Sequence, residues 1–228
     1  MKFILTAINA KYIHSNLAIY DLKAYCQQYK EHIELAEYTI NHNIEYILAD
    51  LYRKNPDAVA FSCYIWNIAI VEVLIREIYK VLPDTKIWLG GPEVSYRAEA
   101  LLKQHPYLQG VMVGEGEQAF LQLMEHYITK NRALCEVQNL VYQDNKGIHK
   151  NKQGPLLALS EVPFPYEDME KFENRIIYYE SSRGCPYSCS YCLSSVEKKL
   201  RFRNLELVEK ELQFFLDRKV KQVKFVDR

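Results

Sequence analysis

The sequence has no excess of charge of either sign: Lys plus Arg and Asp plus Glu each number 29 among 228 residues. Without a net field, neither nucleic acid nor an anionic membrane is drawn to the chain as a whole, and no nucleic-acid partner is expected. Long apolar runs are also missing. The opening Met1 to Ile8 gives way at Asn9 and Lys11, too soon for a signal-peptide core and far short of a membrane span, so a cytoplasmic protein without membrane contact is expected. No internal repeat or low-complexity tract interrupts the chain, and 49% hydrophobic with 25% charged residues is the composition of a globular protein with a core. With no secretion signal, the six cysteines are read as metal-binding or catalytic before they are read as disulfides.

This length accommodates one domain of about 100–200 residues and part of another. The first part alternates short apolar runs with amphipathic segments, the pattern of a parallel sheet covered by helices on both faces. Five βα units are predicted, with strands at Lys2–Ile8, Ile33–Tyr38, Ala58–Cys63, Lys86–Gly90 and Gly110–Gly114. Ser15 is placed as the cap of a helix presenting Ala18, Leu22, Tyr25 and Cys26, and Asn67 as the cap of one presenting Val71, Leu74, Ile75 and Ile78. Leu140–Gln143 and Ile148–Lys150 flank the turn residues 144–147 as a hairpin, and Pro155, Pro163 and Pro165 mark an irregular stretch. A new unit follows, with a strand at Arg175–Glu180, a helix with the stripe Leu205, Val208, Leu212, Phe215 and Leu216, and a strand at Gln222–Val226. The expected divisions are residues 1–135, a hairpin and Pro-rich linker at 136–172, and a second unit at 173–228.

Between the new strand and its helix lies a loop carrying Cys185, Cys189 and Cys192, with Gly184 and Pro186 favouring a tight path. Three thiolates can hold one four-iron cluster and leave its fourth iron without a protein ligand. Zinc is the rival reading, but it normally takes four ligands, and no second Cys-x-x-Cys or paired His follows. Cys26, Cys63 and Cys135 are read as small buried hydrophobes. Arg183, Lys198, Lys199, Arg201 and Arg203 either offset the charge of a thiolate-bound cluster or form a solvated basic face.

The spacing Cys185-x-x-x-Cys189-x-x-Cys192, with Tyr191 before the last cysteine, resembles the radical S-adenosylmethionine (SAM) superfamily signature. That resemblance implies a [4Fe-4S] cluster whose open iron chelates SAM and cleaves it to a 5′-deoxyadenosyl radical. Upstream, the segments 9–16 (Asn-Ala-Lys-Tyr-Ile-His-Ser-Asn), 61–67 (Phe-Ser-Cys-Tyr-Ile-Trp-Asn), 89–93 (Leu-Gly-Gly-Pro-Glu) and 113–117 (Val-Gly-Glu-Gly-Glu) fall at the carboxyl ends of the predicted strands. Their order, with the cysteine loop downstream, resembles cobalamin-binding-domain radical SAM proteins, a family that includes methyltransferases and the anaerobic magnesium-protoporphyrin ester cyclase.

The resemblance implies a Rossmann-like, flavodoxin-like five-stranded α/β domain for cobalamin, then a hairpin linker and the first strands of a radical SAM barrel. Candidate cofactor contacts are Asn9, Tyr12, Ser62, Tyr64, Trp66, Asn67, Gly90, Gly91, Pro92, Gly114, Glu115 and Gly116, with Tyr191 beside the cluster. No Asp-x-His-x-x-Gly motif is present, so no histidine below cobalt is expected; His14 alone lies near a ligand loop. Residues 114–119 also match the dinucleotide pattern G-x-G-x-x-A, but Glu115 and Glu117 would meet a pyrophosphate, and pairing with a helix dipole suits them better. The expected reaction is methyl transfer to an unreactive carbon, with a small-molecule substrate and an electron donor such as flavodoxin or ferredoxin. A non-catalytic cofactor-binding or sensor module is the alternative. With only the start of a barrel, the 228-residue chain is expected to lack SAM cleavage, which an assay for 5′-deoxyadenosine would check. Its uncovered segments Phe214–Leu216 and Val223–Val226 invite dimerisation.

Overall fold

A computed structural model describes residues 1–193 and 199–227. In chain order the amino-terminal part forms β1 (Phe3–Asn9), α1 (Leu17–Tyr25), β2 (Ile33–Thr39), α2 (Ile44–Lys54), β3 (Ala58–Ser62), α3 (Ile68–Val81) and β4 (Lys86–Gly90). It continues through α4 (Pro92–Ser95), α5 (Ala98–Gln104), β5 (Gly110–Met112), α6 (Glu117–Met124), β6 (Leu140–Asp144) and β7 (Gly147–Lys150). The second unit holds β8 (Ile177–Tyr179), β9 (Ser182–Arg183), β10 (Arg201–Phe202), α7 (Leu205–Asp217) and β11 (Val223–Phe225).

Every residue of β1 is buried, because this strand lies between β2 and β3 with helices above and below. One face of the sheet packs Ile4, Val59 and Leu89 under α2, α3 and α5; the other packs Phe3, Leu5 and Trp88 under α1 and α6. The α3 stripe Val71, Leu74, Ile75 and Ile78 is buried as its spacing predicts. Among the described residues no helix is long and apolar enough to cross a membrane.

The parallel strands run in the order β2-β1-β3-β4-β5, the flavodoxin-like order, but the sheet has seven strands rather than the five expected. The hairpin is the reason: β6 pairs antiparallel with β5, Val111 opposite Val141, and β7 follows it. The expected division after residue 135 therefore precedes two strands of the same sheet.

Local details depart from expectation for identifiable reasons. Asn16, not Ser15, caps α1, its side chain accepting from Ile19 N, while Ser15 Oγ donates to the Ile176 carbonyl. The sheet-facing side of α1 is built on Ile19 and Cys26 instead of Ala18 and Tyr25, because Leu17 and Tyr20 pack against the second unit's core. Cys135 is exposed, unlike Cys26 and Cys63. In α7, Phe215 is buried with Val208 and Leu212 against it, whereas Leu205 and Leu216 lie off the packed stripe.

In the second unit, β8 and β11 pair in parallel around α7, and β9 pairs antiparallel with β10. Phe215, Tyr179, Ile177, Tyr166 and Phe172 form its core.

Gly110 is where packing demands glycine: an added Cβ would stand 2.6 Å from the Trp88 ring and from the Val141 carbonyl oxygen. Gly110→Ala is expected to lower stability by about 1–3 kcal/mol in urea unfolding. Gly90→Ala, whose Cβ would meet Met112 at an ordinary 3.7 Å, should stay within about 0.5 kcal/mol of wild type.

Candidate functional site

The strand order reverses between β1 and β3, and in such sheets ligands sit beyond the carboxyl ends of the strands at that switch. There the loops after β1 and β3 are tied together. Asn67, fully buried, donates through Nδ2 to the carbonyls of Ile8 and Ser62 and accepts from Tyr64 N. It stands at the cap position of α3 without capping it, since its amide closes the loop instead. Trp66 Nε1 donates to the Ile8 carbonyl at 3.2 Å, and its ring stacks on Tyr64 with centroids 4.5 Å apart. The loop after β4 closes onto the same edge: a Cβ on Gly91, whose φ is +106°, would lie 2.6 Å from the Cys63 carbonyl oxygen. Ser95 Oγ donates to the Gly91 carbonyl and accepts from Gly114 N, which joins the loop after β5.

Around this hydrogen-bonded floor stand exposed apolar side chains: Tyr12 (64%), Ile65 (80%), Trp66 (45%) and Tyr96 (65%). Gly114, at φ +77°, has open space where a Cβ would be. Backbone that a ligand can approach closely, with flat aromatic walls beside it, suits a large and largely apolar ligand. Most of the expected contacts, Asn9 to Gly114, thus gather at one edge. Asn9 itself is buried, donating to Glu37 and to the His14 carbonyl, so it holds the loop after β1. Pro92 is the exposed first residue of α4.

Glu115 and Gly116 do other work. Gly116 packs beside Leu22 of α1. Glu115 is turned to the second unit, where Arg183 contacts it at 3.0 Å and Arg201 also pairs with it. Arg183 further reaches Glu117 at 2.9 Å and Glu180 at 2.7 Å, and Arg203 holds Glu211 at 2.5 Å. These arginines are 7–17% exposed and ion-paired, so the solvated-face reading is corrected for them; Lys199 is exposed, and Lys198 lies outside the described residues. Burial raises the Glu115 carboxyl, but the Arg201 hydrogen bond and the Arg183 charge outweigh it and hold Glu115 below the usual carboxylate range.

A second knot lies at Glu37 on β2. It accepts from Asn9, Asn16 N and Tyr20 and pairs with Arg175, which also lies 5.2 Å over the Tyr12 ring. Ile176 N donates to the Ile13 carbonyl, and Tyr178 Oη and His14 Nδ1 are 2.6 Å apart. Glu37, Glu117, Arg175 and Asp21 were not among the expected site residues; the visible signal was a charge inside an otherwise apolar strand or helix.

Arg183 ends β9, and the cysteine loop begins two residues later. Cys185 and Cys192 are half-buried, Cys189 is exposed, and Cys192 N donates to the Cys189 carbonyl at 3.1 Å; Tyr191 is 90% exposed. Among the described residues no three His, Cys, Asp or Glu side chains stand close enough to hold a metal ion. The three thiols lie within the one loop 185–192.

A B12 binding domain profile matches residues 4–124. The cobalamin-dependent radical SAM methyltransferase TokK of Streptomyces tokunonensis is 30% identical over 176 residues, 70% of this chain and 25% of that protein. An uncharacterized methyltransferase of Pyrococcus horikoshii is 30% identical over 191 residues, 79% of this chain and 41% of that one. The chain therefore spans between a quarter and about two-fifths of the length of these relatives. The structure of the cobalamin-dependent SAM radical enzyme OxsB superposes with a TM-score of 0.80 at 22% identity, over 99% of this chain and 34% of that one, and so shares the fold.

Removing Arg183 would take the ion pair from Glu117 and Glu180 in a buried seam and leave Glu115 to Arg201, so Arg183→Ala is expected to cost about 3–5 kcal/mol in urea unfolding. Lys2→Ala, which breaks an exposed pair with Glu34, should cost about 0–1 kcal/mol. For Glu115, whose folded value is depressed, the stabilisation is full above the ordinary carboxylate value of about 4.3 and is lost as pH falls through the folded value. Glu115→Gln should flatten that acid limb of a stability-against-pH curve.

Proposed function

Since the chain belongs to the B12-binding domain family, we propose that its open sheet edge takes cobalamin and that the cysteine loop belongs to a radical SAM methyltransferase. The carrying observation is the edge itself: Gly91 and Gly114 in conformations that favour glycine, on a floor fixed by Asn67, walled by Tyr64, Trp66 and Tyr12. Bound cobalamin would carry a methyl group, and a [4Fe-4S] cluster with SAM would generate the radical that activates a carbon–hydrogen bond.

The chain's own residues bind and orient. Gly91 lets the loop after β4 close onto the Cys63 backbone, Gly114 leaves open space for a ligand to approach, the Tyr64–Trp66 stack supplies a flat apolar wall, and Asn67 keeps both loops from opening. Cys185, Cys189 and Cys192 supply three thiolates, with Tyr191 beside the last. Arg183 ties the start of that loop to α6, so the cysteine loop is anchored to the cobalamin-type domain. The unit β8-α7-β11 serves as the first strands of the barrel, and a small-molecule substrate and a flavodoxin- or ferredoxin-like electron donor complete the system.

A second reading is a cofactor-binding module without radical chemistry. It is favoured by the thiols' not being gathered into a metal-holding group among the described residues.

Anaerobic iron–sulfur reconstitution with added hydroxocobalamin, followed by visible and EPR spectra of the desalted protein, separates the two. Retained corrin with a cluster lost in the Cys185→Ala, Cys189→Ala, Cys192→Ala triple variant is the expected result. Corrin without a cluster supports the module, and a cluster without corrin removes the cobalamin assignment.

A further inference from the structure

Asp21 is the acidic residue of α1, 7% exposed, and it faces the seam between the amino-terminal domain and the second unit. It lines a cavity of about 20 Å³, closed by Leu17, Tyr166, Tyr179, Glu180, Arg203 and Glu211. That is room for about one water molecule. Among the described residues no hydrogen bond or ion pair reaches the Asp21 carboxyl group.

The groups around it are already committed. Arg183 uses Nε on Glu180, Nη1 on Glu115 and Nη2 on Glu117 and Glu180. Arg203 uses Nε and Nη2 on Glu211 and Nη1 on the carbonyls of Leu159 and Val162. Tyr179 donates to Glu211 and Tyr166 to the Tyr178 carbonyl. On α1 itself, Tyr20, Lys23 and Tyr25 are bonded to Glu37, the Ile33 carbonyl and Gln118. Tyr64 is the phenol on the sheet side. An ionised Asp21 would therefore sit buried and without a hydrogen-bonded partner, opposed by desolvation and by the charges of Glu117 and Glu180, which the Arg183 and Arg203 charges offset only in part.

We propose that this seam is a proton-linked clamp, closed while Asp21 is the neutral acid and loosened when that proton leaves. The arm it holds, 180–183, runs straight into the cysteine loop, so the clamp governs how firmly that loop is seated on α1 and α6. Burial first, then the charges of Glu117 and Glu180, push Asp21 well above the usual carboxylate range. The sign follows: the folded chain holds this proton more tightly than the unfolded one, so the seam loses stability as pH rises from the ordinary carboxylate value toward the folded one. This trend is opposite to that of Glu115.

The test is amide hydrogen exchange of the full chain, followed by mass spectrometry. Wild type and Asp21→Asn are compared side by side at each pH between about 3.5 and 9, a range that begins below the ordinary aspartate value of about 3.9, so that the intrinsic exchange rate cancels. In segments 17–25 and 177–183 the wild-type to variant rate ratio is expected to start near one and rise with pH, by about tenfold for each unit by which the folded value exceeds the ordinary one. Segments within β1 and β3 should keep a constant ratio. Asp21→Leu, which removes the charge without an amide, should behave as Asp21→Asn does. A ratio that does not change with pH overturns the clamp. So does faster exchange in both variants than in wild type throughout, or failure of both to fold, since either would mean that an ionised Asp21 stabilises the seam.

Discussion

A single guanidinium, that of Arg183, is what two structural units meet around. Its three carboxylate partners come from the loop entering α6, from α6 itself and from the end of β8, and all are mostly buried. Such charges are costly to bury unless every partner is in place, which makes the seam cooperative: each contact is favourable only because the others have formed. Arg201 and Arg203 repeat the arrangement nearby, on Glu115 and Glu211. The cysteine loop leaves the domain directly from this seam, and Leu17 and Tyr20 of α1 add apolar packing against the second unit's core.

The open edge obeys a different constraint. Its backbone is fixed by donors with several acceptors, above all Asn67, so that the stacked Tyr64 and Trp66 rings stand at its rim on a fixed floor. A surface of this kind stays apolar and accessible because its polar groups are satisfied beneath it. Gly91 shows how little slack exists, since even a methyl group would collide with the Cys63 backbone.

Much of the fold was legible in the sequence, because strands buried on both faces read as apolar runs and α3 carries an unbroken stripe. Hairpin docking was not legible: alternation in Leu140–Lys150 reveals two strands but not that β5 is their neighbour. Ser15 and Asn16 are equally good caps by residue type, and only the contact with Ile176 assigns Ser15 elsewhere. The four loops of the sheet edge could be found because the fold puts all strand ends together. The seam could not be found, because Arg183 and Glu117 are 66 residues apart and nothing in local pattern pairs them. Their residue types were visible, but their partners were a matter of tertiary structure.

The hairpin has a consequence for the order of events during synthesis. Because β6 and β7 close the β5 side of the sheet by residue 150, all seven strands are available before Arg183 has been made. The sheet can thus be complete while Glu115 and Glu117 still face water, and the later arginines dock onto a finished surface. A nascent chain halted between these points would present an acidic patch and an uncovered face of α1, the features a chaperone or a premature partner would meet first.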